Sequence, residues 1–260
     1  MRSILNFIIL IFPALPVYPQ FLFHNDSLTP EKEGEVQVLY RNEMAFGGFA
    51  HSNGFGIAYR RGRHLTGYKK IVYEVELANI RHPKEYKVFN PNLESSKGFI
   101  YGKLNNFYIF RPGIGFHQTV VSKIGEGTIE IRYLASAGVS IGLLKPIYLE
   151  VSSSASPTGF VIERYDPQVH HIDRIYGKAP FSKGLDELRA LPGGYLKFGL
   201  SFEYAGTQQG IKILETGVAV DFFNRKIPIM AKLDGNNGYD PNNNVVISFY
   251  VAFFLGEKWY

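Results

Sequence analysis

The sequence predicts an all-β protein, an antiparallel up-and-down transmembrane β-barrel of about eight strands with long external loops. Three observations carry this prediction. Segments of about ten residues alternate apolar and polar side chains along most of the chain. Within them the polar-side positions are mostly small and the apolar-side positions mostly bulky. Short turns and long polar connections follow one another between the segments.

The last segment, 245–255, shows the pattern most clearly. Val245, Ile247, Phe249, Val251, Phe253 and Leu255 form one apolar face, and Val246, Ser248, Tyr250, Ala252 and Phe254 a mixed one. On its own this strand fits either the core side of a soluble sandwich or barrel, or the lipid side of a membrane barrel.

Composition narrows the classes. The chain has 260 residues, a formal charge of +5 and 20% charged residues, with no long Lys/Arg run, so it lacks the clustered footprint of a nucleic-acid binder. With Cys 0, disulfides, thiolate metal sites, Cys nucleophiles and a lipidated N-terminal Cys are excluded. Phe 21, Tyr 17 and Gly 27 suit strands and tight turns better than helices.

Residues 1–20 read as an export signal: Arg2 is the basic start, 4–13 an apolar core too short to span a bilayer, and 13–20 a cleavage region. A polar leader follows over 21–34, and the barrel is expected over 35–260. No other run reaches the length of a transmembrane helix, so a membrane protein here must be a barrel.

The first strand is expected over 35–50, with Val36, Val38, Tyr40, Met44, Phe46 and Gly48 on one face and Gln37, Arg41, Glu43, Ala45 and Gly47 on the other. An Asn-Gly turn at 51–54 makes a hairpin with the second, where Phe55, Ile57 and Tyr59 oppose Gly54, Gly56, Ala58 and Arg60. The third, 68–78, sets Ile71, Tyr73, Val75 and Leu77 against Lys70, Val72, Glu74 and Glu76. After a polar connection over 79–105, the fourth, 106–120, opposes Tyr108, Phe110, Pro112, Ile114 and Phe116 to Phe107, Ile109, Arg111, Gly113, Gly115 and His117. Pro112 cannot donate to the ladder, so a bulge is expected there.

The fifth strand, 128–144, turns Ile129, Ile131, Tyr133 and Val139 one way and Glu130, Arg132, Ser136 and Ser140 the other. The longest connection, 146–192, includes a predicted short helix over 182–191, where Leu185, Leu188 and Leu191 have helical spacing. The sixth strand places Leu196, Phe198, Leu200, Phe202 and Tyr204 opposite Tyr195, Lys197, Gly199, Ser201 and Glu203. The seventh places Leu214, Thr216, Val218, Val220 and Phe222 opposite Glu215, Gly217, Ala219 and Asp221. A polar loop, 224–244, leads to the last strand.

Residue size chooses the solvent. A barrel of about eight strands is only just wide enough inside to be filled by side chains, so small residues belong within and bulky ones outside, in lipid. The inward charges, Arg41, Arg60, Lys70, Arg111, Arg132 and Lys197 against Glu43, Glu74, Glu76, Glu130, Glu203, Glu215 and Asp221, are then expected to pair across the lumen with His117 among them.

Signal, alternating segments, loop asymmetry and the aromatic end Trp259-Tyr260 together resemble the small bacterial outer-membrane β-barrel proteins, over about 36–260. The resemblance implies a location in the cell outer membrane, with short turns at 62–67, 122–127 and 205–210 periplasmic and the connections at 79–105, 146–192 and 224–244 external. It implies outer-membrane lipids and the barrel-assembly machinery as partners, with an envelope protein as a further one. In that class an aromatic chain end is read by the assembly machinery, although here 256–258 interrupt the alternation before Trp259.

Candidate chemistry sits in the longest connection, where Ser152, Ser153, Ser154, Asp166, His170, His171 and Asp173 supply the residue types of acyl transfer. Some small outer-membrane barrels modify lipids with such residues, but no G-x-S-x-G turn is present, and a solvated polar loop is the preferred account of them. His170 and His171 point apart in an extended segment and make a poor shared metal site. Residues 234–240 look like the start of a calcium loop, but Val245 stands where the twelfth-position acid belongs. No metal or cofactor is expected. Three readings stay open: a non-enzymatic barrel with a filled lumen acting through its loops, a lipid-modifying barrel enzyme, and a secreted soluble barrel holding an apolar ligand.

Overall fold

The computed structural model describes residues 40–93, 96–122, 128–153, 159–204, 210–232 and 240–260. The expected signal, the leader and the first residues of the first predicted strand lie outside them. In chain order the strands are β1 (Asn42–His51), β2 (Gly54–His64), β3 (Lys69–Ile80), β4 (Lys87–Val88), β5 (Phe99–Ile100), β6 (Asn105–Val121), β7 (Ile129–Pro146), β8 (Tyr148–Ser152), β9 (Phe160–Arg164), β10 (Ile175–Lys178), β11 (Arg189–Tyr204), β12 (Gly210–Phe223) and β13 (Val245–Trp259).

Eight of these close a barrel in the order β1-β2-β3-β6-β7-β11-β12-β13, with β13 returning to β1. Every neighbour is antiparallel, and the closing seam sets Phe46 opposite Leu255 and Ala50 opposite Val251. The remaining strands form two small sheets, β10-β8-β9 and β4-β5, within the long connections. The strand ends His64 and Lys69, Val121 and Ile129, and Tyr204 and Gly210 lie at one end of the barrel, here the turn end, and Ile80 and Asn105, Pro146 and Arg189, and Phe223 and Val245 at the other, the loop end.

Alternation becomes burial alternation on every barrel strand. Phe46, Ile57, Tyr73, Ile114, Val139, Phe198, Leu214 and Phe249 all point outward and are exposed. Between them the small inward residues let large side chains cross the lumen. A Cβ on Gly113 would lie 2.1 Å from the Tyr195 hydroxyl, and one on Gly138 would meet the Tyr195 ring at 2.8 Å and the Pro112 carbonyl at 2.3 Å. Glycine at these positions gives Tyr195 the space to cross the lumen.

The loop end is closed by apolar packing. Ile227, Ile229 and Met230, from the last long connection, join Ile80, Phe107, Leu144, Leu191 and Phe223 in one buried cluster. Phe107 and Phe223 meet edge to face with centroids 5.4 Å apart. Asn242 pins this cap, accepting the N–H groups of Ile229 and Met230 at 3.0 Å each and donating to the Met230 carbonyl at 2.8 Å.

The first two long connections fold together as a platform. Phe99 packs with Ile147, Leu149, Val151, Tyr165 and Ile175 in a second core. Asn90 donates to the carbonyls of Asp173 and Ile175 at 2.8 and 2.9 Å, and the Gly102 N–H donates to the Tyr165 hydroxyl at 3.1 Å. Burial pushes the Tyr165 hydroxyl up to about 12.

Four expectations are corrected. Pro112 makes no bulge: pairing of β6 to β7 skips residues 111 and 112 but resumes at Gly113↔Gly138 in unchanged register, and the shift falls between Thr119 and Val121. Losing one ladder donor therefore removes local bonds without inserting a residue. No helix forms over 182–191: Gly184 has φ +79, and Arg189, Ala190 and Leu191 already pair with β7. Only Leu191 of the three leucines is buried, inside the barrel. Arg41 precedes β1 and is exposed, so it is not part of the lumen. Residues 256–258 do not interrupt the last strand, because β13 runs through them to Trp259, which pairs with Asn42.

Candidate functional site

Inward positions on facing strands bring charges from distant parts of the chain together. In the middle of the barrel Arg60 from β2 meets Glu215 from β12 through two hydrogen bonds, one of 2.8 Å, and its Nε lies 3.2 Å from Glu74. Its guanidinium also lies over the Phe254 ring, 3.9 Å from the centroid. Lys197 donates to Glu74 at 2.7 Å and to Glu76 at 2.6 Å. Arg111 forks onto Asp221 at 2.8 and 2.6 Å and reaches Glu76 at 3.3 Å. Hydroxyls fill the remaining acceptor sites: Tyr195 donates to Glu74 at 3.0 Å, Tyr250 to Glu215 at 2.8 Å and Ser140 to Asp221 at 2.6 Å.

A second cluster lies toward the turn end. Lys70 pairs with Glu43, which the His64 ring also approaches at 3.3 Å. Arg132 pairs with Glu203 and accompanies Glu130 at 2.9 Å, and Thr119 donates to Glu130 at 2.7 Å. Lys258 pairs with Glu203 as well. His117 is buried between the clusters, in the fields of Lys70 and Arg60 and of Glu215 and Glu43, and sits opposite Lys70.

Removing so many charges from water is favourable only when each is paired and hydrogen-bonded, and both clusters meet that condition with charge-assisted bonds. Together the two clusters bridge strands across the barrel interior. The void among Phe49, His51, Arg60, Glu76 and Arg111 measures about 10 Å3, about the space of one water. Lys70 and Glu76 are buried in the lumen, while Arg41 stays outside.

The serine and histidine candidates are not brought together. Ser152 pairs with Phe160 at one end of the β8–β9 ladder, whereas Glu163, which contacts His170, pairs with Leu149. Three residues of strand separate these positions, about 10 Å. Both His170 nitrogens are engaged, Nδ1 by the Asp166 N–H at 3.0 Å and Nε2 with Glu163 at 2.9 Å. His171 and Asp173 are exposed, His171 immediately before the short 3-10 turn Ile172–Arg174 and Asp173 within it. Ser154 and residues 234–239 lie outside the described residues. Among the described residues no group of three His, Asp or Glu is arranged to hold a metal.

A closed barrel of eight antiparallel strands, apolar outside and ion-paired within, has the architecture of the small outer-membrane β-barrels. Solved structures similar to the chain are of that kind. Ail, the attachment invasion locus protein of Yersinia pestis, has 11% identity and a TM-score of 0.38, over 85% of this chain and 100% of that one. The N-terminal β-barrel domain of Pseudomonas aeruginosa OprF has 9% identity and a TM-score of 0.36, over 85% and 100%. Neisserial surface protein A has 10% identity and a TM-score of 0.33, over 85% and 95%. No protein-family model and no curated protein matches the chain. The class rests on the barrel's own construction, since these likenesses are distant.

Proposed function

We propose that the chain is an integral outer-membrane barrel that does not conduct and that acts from its loop end, as a structural or ligand-binding protein. The observation that carries this reading is the double closure of the lumen, by the ion-paired clusters in its middle and by the Ile227, Ile229 and Met230 cap at its loop end. The exposed apolar belt supports the membrane location, because an unbroken apolar surface on every strand is costly in water. With the bore filled, the surface left for partners is the platform, where Tyr86, Phe89, Ile162 and Val169 stand exposed. Ser152, Ser153 and Asp173 serve that platform as turn and surface residues, the buried His170 ties it together through Asp166 and Glu163, and catalysis has no part in the proposal.

Planar-bilayer recording of the refolded chain tests the reading. Insertion without current steps is expected, and steady open-channel steps from the unmodified chain would overturn it.

A further inference from the structure

Outside the barrel, the upper parts of β2, β3 and β6 and the overhanging platform enclose a groove of about 850 Å3. Its barrel wall is apolar: Phe55, Ile57 and Leu77 point outward here and continue the exposed belt, with the half-buried Tyr108 beside them. Phe99, Ile147 and Leu149 of the platform core line the groove as well. Arg81, Lys87, Lys103 and Lys178 line it too, with Glu85 the one carboxylate among the lining residues. Glu85 is committed to Lys103 at 2.6 Å. Among the described residues Arg81, Lys87 and Lys178 have no carboxylate partner.

These cations act on one another. Burial holds the Lys103 ammonium below its ordinary value, and the like charges of Lys178 and Arg81 push the same way against the nearby Glu85. Lys145 adds a further positive charge close to Lys178, its ammonium 4.4 Å from the centroid of the Phe181 ring that lines the groove. Cations gathered in a half-enclosed site repel one another unless an anion joins them. A soluble anion would satisfy the charges but leave the apolar wall bare. A ligand with an acyl chain and a charged head satisfies both, and basic pockets beside membrane-spanning segments recognise lipid head groups in this way.

We infer that this groove binds a phosphate-bearing acyl lipid of the surrounding leaflet, its chain along Phe55, Ile57 and Leu77 and its phosphate among Arg81, Lys103 and Lys178. The inference rests on the membrane location proposed above. Its test is native mass spectrometry of the full chain in detergent, titrated with phosphatidate, with diacylglycerol of the same chains, and with inorganic phosphate. Phosphatidate adducts should persist where diacylglycerol adducts do not, and inorganic phosphate should not displace them. Removing two surface cations in Arg81→Ala/Lys178→Ala should weaken phosphatidate binding about tenfold or more, and the charge-keeping Arg81→Lys/Lys178→Arg should retain it. Both variants leave the barrel strands intact, and an unchanged shift in cold gel migration verifies their folding.

Equal binding by the alanine variant, equal binding of diacylglycerol, or displacement by inorganic phosphate at matched concentration would each overturn the inference. These failures differ from failure of the membrane location, in which the chain would stay dispersed without detergent and would not insert into vesicles at all.

Discussion

Replacing Glu215 with alanine is the sharpest test of the closed lumen. Its carboxylate is 0% exposed and accepts two hydrogen bonds from Arg60 and one from the Tyr250 hydroxyl. Removing one member of a buried ion pair costs about 3–5 kcal/mol, because the partner stays buried and uncompensated. Two features of the site adjust that figure. Arg60 keeps Glu74 at 3.2 Å and the Phe254 face, which offsets part of the loss. Tyr250 loses its acceptor, which adds about 1 kcal/mol, so the net cost is about 3–4 kcal/mol. Replacing both partners, as Arg60→Met/Glu215→Leu, removes the stranded charge and should recover most of this, leaving about 1–2 kcal/mol. Urea unfolding from lipid vesicles, followed by fluorescence of Trp259, the chain's single Trp, measures all three. A cost below about 1 kcal/mol for Glu215→Ala would mean a hydrated carboxylate, as in an exposed pair, and would refute the closed lumen.

Other outcomes follow from the same geometry. Val251 is 53% exposed on the outward face, so Val251→Lys should cost about 2–4 kcal/mol in bilayers if it lies near the midplane, and a neutral result would place that face in water. Asn242→Ala removes three hydrogen bonds from the cap and should cost about 2–3 kcal/mol, with faster amide exchange at Ile229 and Met230 as the local readout. Tyr165 has a folded value raised to about 12 against an unfolded value of about 10, so its contribution to stability is complete below pH 10 and is lost as pH climbs through 12. Tyr165→Phe should remove that tyrosinate step from the absorbance titration and flatten the alkaline loss of platform near-ultraviolet dichroism. Gly138→Val should displace the Tyr195 ring and lengthen its 3.0 Å bond to Glu74, seen as lost protection of the hydroxyl proton by NMR.

The faces of the barrel strands were legible because period two is a local property. Knowing that Phe198 and Leu200 lie on one side of their strand requires only their parity. Their solvent followed from residue size, since Gly113 and Gly138 leave the space that Tyr195 occupies. The pairings were not legible. Arg60 and Glu215 are 155 positions apart, and their meeting depends on closure and strand tilt, which no local pattern encodes. Arg41 shows the limit of parity: it has the right phase for the lumen, but it lies before β1 and is exposed.

Much of the candidate site was hidden for a different reason. The cap comes from Ile227, Ile229 and Met230, an apolar cluster in a polar connection too short to show a period. Apolar residues without a face to join were the available signal. The platform strand β8 has its own alternation, Leu149 and Val151 against Glu150 and Ser152, but at five residues it is too short to stand out inside a long connection. The leucine spacing over 182–191 misled because Gly184 takes a positive φ and Leu191 is drawn into the β11–β7 ladder, so tertiary pairing overrides a helical period.

The central claim is that the outer face of this closed barrel lies in lipid and its inner face is dry and ion-paired. The chain has no native cysteine, so single cysteines carrying nitroxide labels can be placed in turn at positions 195–204 of β11 in bilayers. The account predicts that accessibility to dissolved oxygen rises at the even positions, Leu196, Phe198, Leu200 and Phe202, and falls at the odd ones, with a water-soluble nickel complex reaching neither set in mid-strand. Nickel access at the even positions would put that face in water and contradict the account.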